Sequence, residues 1–138
     1  METSLSIFTD GVARGNPGDG GFGVVIKGDD GATIEEIAGY LGKTTNNFAE
    51  YSALIAALKG VVKYNAEKVE IFSDSQLMVR QINGQYSVKS ESLLPLYTEA
   101  KSLISNLRNV KLFHVPREKN KEADALANKA VDQKTKTF

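Results

Sequence analysis

The sequence predicts an α/β fold, a mixed sheet with helices flanking its faces. Two observations lead there. Three extended segments follow one another before any helical pattern begins, the arrangement of strands joined antiparallel. Helical and extended segments then alternate to the C-terminus, the arrangement of strands joined through crossovers. The predicted order is βββαβααβα.

Leu5–Gly11 (LSIFTDG) alternates in polarity and reads as the first strand. Gly11–Gly23 is glycine-rich and reads as a wide hairpin loop, after which Val24-Val25-Ile26 resumes an extended pattern. Ala32–Leu41 is the third strand. Asn47–Tyr64 is the clearest helix, with Tyr51, Leu54, Ile55, Leu58, Val61 and Val62 spaced along one face. Lys68–Asp74 (KVEIFSD) is the fourth strand, and Ser75–Ile82 a short helix ended by Asn83-Gly84. Leu93, Leu96, Tyr97, Ala100, Leu103, Ile104 and Leu107 line the next helix. Val110–Val115 is the fifth strand, stopped by Pro116, and Asn120–Val131 a last amphipathic helix. Residues 1–138 are read as a single domain, with the tail from 132 to 138 frayed.

The chain has 138 residues, 41% hydrophobic and 25% charged, so a folded core is expected and a disordered chain is not. Seventeen basic residues balance seventeen acidic ones, which excludes a strongly basic nucleic-acid coat and an acidic tail. There is no cysteine, hence no disulfide, thiolate nucleophile or cysteine-based zinc site. The N-terminus Met1-Glu2-Thr3-Ser4 does not resemble a secretory leader, and the longest apolar run, Ala53–Leu58, is too short to span a bilayer. A soluble, cytoplasmic monomer without membrane contact is expected.

Four acids stand at special places: Asp10 ends the first strand, Glu50 lies in the first turn of the long helix, Asp74 ends the fourth strand, and Asp124 lies in the first turn of the last helix. Each has an ordinary reading as a turn residue, a cap or a complement to a helix dipole, with Asn47 as the N-cap that pairs with Glu50. If the first and fourth strands are neighbours, Asp10 and Asp74 share one sheet edge, and the helix starts can bring Glu50 and Asp124 to it. Four carboxylates in one place repel unless cations neutralise them, and hard oxygen ligands favour Mg²⁺ or Mn²⁺.

Four blocks, Thr9-Asp10-Gly11, Thr45-Asn46-Asn47-Phe48-Ala49-Glu50, Ser73-Asp74-Ser75-Gln76 and Asn120-Lys121-Glu122-Ala123-Asp124-Ala125-Leu126-Ala127, together resemble type 1 ribonuclease H. The likeness runs from about Leu5 to Val131, with the blocks in the family's order. It implies the ribonuclease H-like fold, with a five-stranded mixed sheet. It also implies a metal-dependent endonuclease that hydrolyses the RNA strand of an RNA–DNA hybrid by a two-metal-ion mechanism. By that resemblance Asp10 bridges two Mg²⁺ ions (Mn²⁺ a substitute), Asp124 helps hold the ion that activates water, and Glu50 and Asp74 help hold the ion at the leaving oxygen. Asn46, Asn47 and Gln76 correspond to residues that touch bases and 2′-hydroxyls in the minor groove. Lys43, Thr44 and Thr45 correspond to part of a pocket for a DNA-strand phosphate. The backbone near Gly11 and Gly15 is expected to approach RNA, since glycine puts no side chain in the way. Asn46-Asn47 as capping residues and the glycines as turn residues are the alternatives.

The chain departs from the family pattern in two ways. The loop before the last helix, Pro116-Arg117-Glu118-Lys119, has no histidine; the only one, His114, lies in the fifth strand and is read as a packing residue. Arg117 is then the candidate for the loop function, contacting a phosphate without shuttling a proton, or else a solvated loop arginine. The basic helix that some members insert after the short helix is missing; only Gly84–Glu91 fills the gap, where Tyr86 packs on a DNA sugar or closes the core. No additional N-terminal hybrid-binding module is expected. Neutralising four acids would leave the rest of the chain positive, so that Lys43, Lys89, Arg117, Lys119 and Lys121 can face phosphates. Gly42-Lys43-Thr44 fails as a phosphate-binding loop because Ile37 stands where its first glycine belongs, and Gly18–Gly23 fails as a dinucleotide fingerprint because no helix follows. Two rival functions remain: a broader ribonuclease that also cuts double-stranded RNA, and a non-catalytic nucleic-acid-binding domain on the same fold.

Overall fold

A computed structural model describes residues 3–134 and 136–137 of the chain. Among the described residues six strands form one mixed sheet: β1 (Ser4–Gly15), β2 (Gly18–Lys27), β3 (Thr33–Thr44), β4 (Lys68–Ser73), β5 (Val110–His114) and a two-residue β6 (Lys136–Thr137), in the spatial order β5-β4-β1-β2-β3-β6. The helices are α1 (Asn46–Gly60), α2 (Gln76–Ile82), α3 (Leu94–Ser105) and α4 (Lys121–Gln133). The five long strands and four helices follow the βββαβααβα order. β1 lies at the centre, antiparallel to β2 and parallel to β4, which is parallel to β5.

The pleat divides the sheet into two faces. On one, Leu5, Ile7, Phe22, Val24, Ile26, Ile71 and Leu112 form a core with Tyr51, Leu54 and Leu58 of α1, Met78, Val79 and Ile82 of α2, and Ala100 of α3. α1 is buried on more sides than a single stripe, because Ala49, Ala53 and Ala57 are covered as well as the larger residues. On the other face α4 lies over β2. A Cβ on Gly23 would collide with Ala123 and Leu126, and one on Gly21 with Ala127. Bare backbone under an alanine-lined helix lets the two approach closely.

The glycine-rich stretch is therefore not a wide loop. β1 runs on to Gly15, β2 begins at Gly18, and their register pairs Asp10 with Gly23. Only Asn16 and Pro17 connect them, with Gly15 at φ +99°, where a side chain would be strained.

Several boundaries also differ. The α1 cap is Thr45, whose hydroxyl accepts from Phe48 N–H at 3.2 Å, so Asn47 is inside the helix and Glu50 lies in its second turn. The helix stops at Gly60, and Val62, placed on the apolar stripe by its spacing, is 57% exposed in a following 3-10 turn. Asp74 falls just past β4, and the hydroxyl of Ser75, not Asp74, caps α2. His114 is exposed at the end of the edge strand β5, where only Leu112 is buried, so it is not a packing residue. Tyr86 is also exposed and does not close the core; its ring sits beside Arg80, which donates to its hydroxyl at 3.1 Å. The expected fraying does not begin at 132, since α4 continues through Asp132 to Gln133 and Lys136–Thr137 pair with Gly39 and Ala38 of β3. Residues 135 and 138 lie outside the described residues. Among the described residues no helix is long and apolar enough to cross a membrane.

Candidate active site

Parallel pairing of β1 with β4 brings Thr9 opposite Ser73, so the next residue of each chain, Asp10 and Asp74, emerges at the same sheet edge. α1 crosses beneath that edge. The absence of a side chain at Gly11 lets the α1 backbone at Ala49 and Glu50 occupy the space a Cβ would need. The Gly11 N–H donates to Glu50 Oε1 at 2.8 Å and aims that carboxylate at the edge. From the other face α4 delivers Asp124, its first turn tied to β1 by Asn120, whose buried side-chain amide donates to the Thr9 carbonyl at 2.8 Å.

These residues line a cleft of about 330 Å³ formed by Asp10, Gly11, Val12, Ala13, Asn46, Glu50, Asp74, Arg117 and Asp124. Carboxylate oxygens of Asp10, Glu50 and Asp74 lie within 4.8 Å of one another. Burial, then the charges of Glu50 and Asp74, then contact with Asp124, push the Asp10 carboxyl up to about 10. Burial and Asp74 push Glu50 up to about 8, against the opposing pull of the Gly11 N–H and the Arg117 guanidinium. A larger and more apolar hollow along α3, lined by Leu94, Pro95 and Leu103, holds no such constellation.

A centre of this kind fits divalent cations. Its donors are hard oxygens, Arg117 offsets only part of their mutual repulsion, and several of them can meet one ion. Asp10, Glu50 and Asp74 could share an ion directly, with Asp124 beside Asp10 on the helix side.

The four acids and Arg117 come together, as does Asn46. Arg117 reaches the cleft from a 3-10 turn, Arg117–Lys119, between β5 and α4. Gly11 also lines the cleft, and the remaining expected contact residues stand outside its wall. Asn47 is exposed on the first turn of α1, and Gln76 is exposed at the start of α2. Lys43 is exposed near the end of β3, Thr44 is buried against Gly20, and the hydroxyl of Thr45 is engaged as the α1 cap. Gly15 makes the β1–β2 turn, and the space that a Gly11 side chain would need is filled by α1, so Gly11 both lines the cleft and shapes Glu50. Sequence reasoning missed Asn16, whose side-chain carbonyl accepts from the Asn46 N–H at 3.1 Å and ties the β1–β2 turn to the start of α1. An asparagine in a Gly-Asn-Pro-Gly turn carries no signal beyond the turn itself.

Residues 8–130 match the family described as reverse transcriptase-like. The chain is 37% identical over 107 residues to the ribonuclease H of Chlorobium phaeovibrioides, covering 78% of this chain and 70% of that protein. The chain belongs to the type 1 ribonuclease H family. It is also 43% identical over 127 residues to a bifunctional protein of Mycobacterium tuberculosis, covering 91% of this chain but 35% of the relative, so it spans about a third of that protein's length. The N-terminal RNase H domain of that protein superimposes with a TM-score of 0.91 at 41% identity, covering 96% of each chain. An RNase H1 isolated from compost, solved in complex with RNA/DNA hybrid, superimposes with a TM-score of 0.90 at 42% identity, covering 94% of this chain and 97% of that one. The ribonuclease H fold, with its central mixed sheet, is thus shared over nearly the whole length.

Proposed function

We propose that this chain is an endonuclease that hydrolyses the RNA strand of RNA–DNA hybrids, and that it works with two Mg²⁺ ions, for which Mn²⁺ can substitute. The observation that carries the reading is the convergence of Asp10, Glu50 and Asp74 within 4.8 Å at one sheet edge, with Asp124 against Asp10. Asp10, Glu50, Asp74 and Asp124 hold the ions. When bound, paired divalent ions at such a centre offset the negative charge that builds during an in-line phosphoryl displacement. The chain's own residues do the rest. The Gly11 N–H keeps Glu50 pointed into the cleft. Arg117 places a permanent positive charge at its mouth, suited to a phosphate oxygen and unable to shuttle a proton. Asn46, Asn47 and Gln76 carry amides that both donate to and accept from a 2′-hydroxyl, which distinguishes RNA from DNA. Lys43, with the backbone of Thr44 and Thr45, receives a phosphate of the DNA strand.

The test is direct. Purified protein is incubated with end-labelled RNA–DNA hybrid, double-stranded RNA and double-stranded DNA, each with Mg²⁺, with Mn²⁺ and with chelator. Cleavage of the hybrid's RNA strand that depends on metal is the expected result. Equal cleavage of double-stranded RNA would broaden the substrate class, and binding without cleavage in every metal would leave a nucleic-acid-binding domain.

A further inference from the structure

We propose that Asn128 and Arg14 form a clamp that positions the Asp124 carboxylate in the acidic cleft; its catalytic consequence rests on the nuclease reading above. Asn128 lies one turn beyond Asp124 on α4, on the same side of the helix. Its Nδ2 donates to Asp124 Oδ1 at 3.2 Å and to the Asp124 carbonyl at 3.0 Å, which restrains rotation of the carboxylate. A primary amide can present either end, and here Arg14 sets which. Arg14 Nη2 donates to Asn128 Oδ1 at 3.1 Å, so the NH₂ end faces Asp124. The guanidinium is itself fixed at a second point, with Nη1 donating to Asp132 Oδ1 at 2.7 Å.

Arg14 belongs to β1, four residues beyond Asp10. The strand that carries Asp10 therefore also grips the helix that carries Asp124. Packing of α4 on the β2 glycines sets the height of that helix above the sheet, and the Arg14–Asn128 tie fixes one side chain's direction upon it. A mere surface ion pair between Arg14 and Asp132 would contribute little, because both side chains are about half exposed or more. The amide between the guanidinium and the carboxylate is what a plain ion pair does not require.

Three variants separate the two roles. Asn128→Ala removes the amide, Arg14→Lys keeps the charge and loses the fork, and Arg14→Gln removes the charge. In the metal-free protein, the side-chain ¹⁵N–¹H₂ signals of Asn128 are expected at shifted, slowly exchanging positions that move to those of a free amide in Arg14→Lys. In cleavage assays, the Mg²⁺ concentration for half-maximal rate is expected to rise about tenfold in Asn128→Ala and in Arg14→Lys, the usual scale for residues behind a metal ligand. The rate at saturating Mg²⁺ should recover towards wild type, and Arg14→Lys should add nothing in the Asn128→Ala background. Arg14→Gln discriminates by sign: Coulomb's law alone predicts a lower Mg²⁺ requirement when a cation leaves the neighbourhood, and the clamp predicts a higher one. An unchanged or lower requirement in folded Arg14→Lys and Arg14→Gln, or Asn128 signals indifferent to Arg14, overturns the proposal. Both Arg14 variants lie at an exposed position, so the test survives if Asn128→Ala fails to fold. A wild-type protein that cleaves no hybrid sinks the nuclease reading, and the amide signals still decide whether the clamp exists.

Discussion

A Cβ on Gly11 would lie within the α1 backbone at Ala49 and Glu50, and the same residue's N–H holds the Glu50 carboxylate. Gly11→Ala is therefore expected to cost about 1–3 kcal/mol of stability, the range for overpacking, and to displace Glu50 as α1 shifts. Chemical denaturation and cleavage measured on the same preparation check this, and an unperturbed variant would mean that the contact relaxes freely. Asp10→Asn acts in the opposite direction on stability. It replaces a carboxyl that the fold must protonate at a cost to stability, so the metal-free melting temperature should stay level or rise while hybrid cleavage falls more than about a hundredfold, beyond the loss typical of residues that only support a ligand. Arg117→Ala should slow turnover and leave metal binding intact, because the guanidinium faces the cleft without being able to ligate a cation. The acids were legible in the sequence as residues at the ends of strands and starts of helices. Their meeting was not, since positions 10, 50, 74 and 124 reveal nothing about which strands are neighbours, and only the ordered blocks around them supplied that. Asn128 and Asn16 were illegible for a different reason: their value lies in partners far along the chain, Arg14 and Asn46, which no local pattern announces.

α4 depends on the strand beneath it presenting bare backbone at Gly21 and Gly23. Gly23→Ala places a methyl group against the Ala123 carbonyl and Leu126, so it should lift the first turns of the helix. Thermal melts should show a loss of about 1–3 kcal/mol, and cleavage should fall although Gly23 lines no part of the cleft. Loss of stability with full activity would show that Asp124 does not follow its helix. The same feature explains the largest misreading of the sequence. Strands are recognised by alternation of side chains, and Gly18, Gly20, Gly21 and Gly23 have none to alternate, so the segment looks like a loop. Its extended state is dictated by the α4 alanines on one face and by Phe22, Val24 and Ile26 in the core on the other. α1, α3 and α4 were readable because their apolar spacing is a property of each helix alone. Their ends were less so, and α1 begins at Asn46 because the Thr45 hydroxyl caps it by reaching the Phe48 N–H, with Asn47 already inside the helix.

Taken whole, the molecule spends stability at one edge of its sheet. Glu50 titrates from its ordinary 4.5 up to about 8, and Asp10 from 3.8 up to about 10. Between about pH 4 and 8 the folded protein therefore binds more protons than the unfolded chain, and without metal its stability falls as pH rises through that window. Below it both states are protonated and the contribution vanishes. Mg²⁺ should reverse the trend, because ionised carboxylates then meet a cation instead of one another. Melting temperatures in chelator should be higher at pH 5 than at pH 8, and the increment on adding Mg²⁺ should be larger at pH 8. Equal increments at both pH values would mean that the acids are not the ions' ligands.

The crowding of carboxyl groups in the cleft also makes it a store of hydrogen ions. Titrating a divalent salt into weakly buffered metal-free protein near neutrality should acidify the solution, and the heat evolved should vary with the ionisation enthalpy of the buffer chosen.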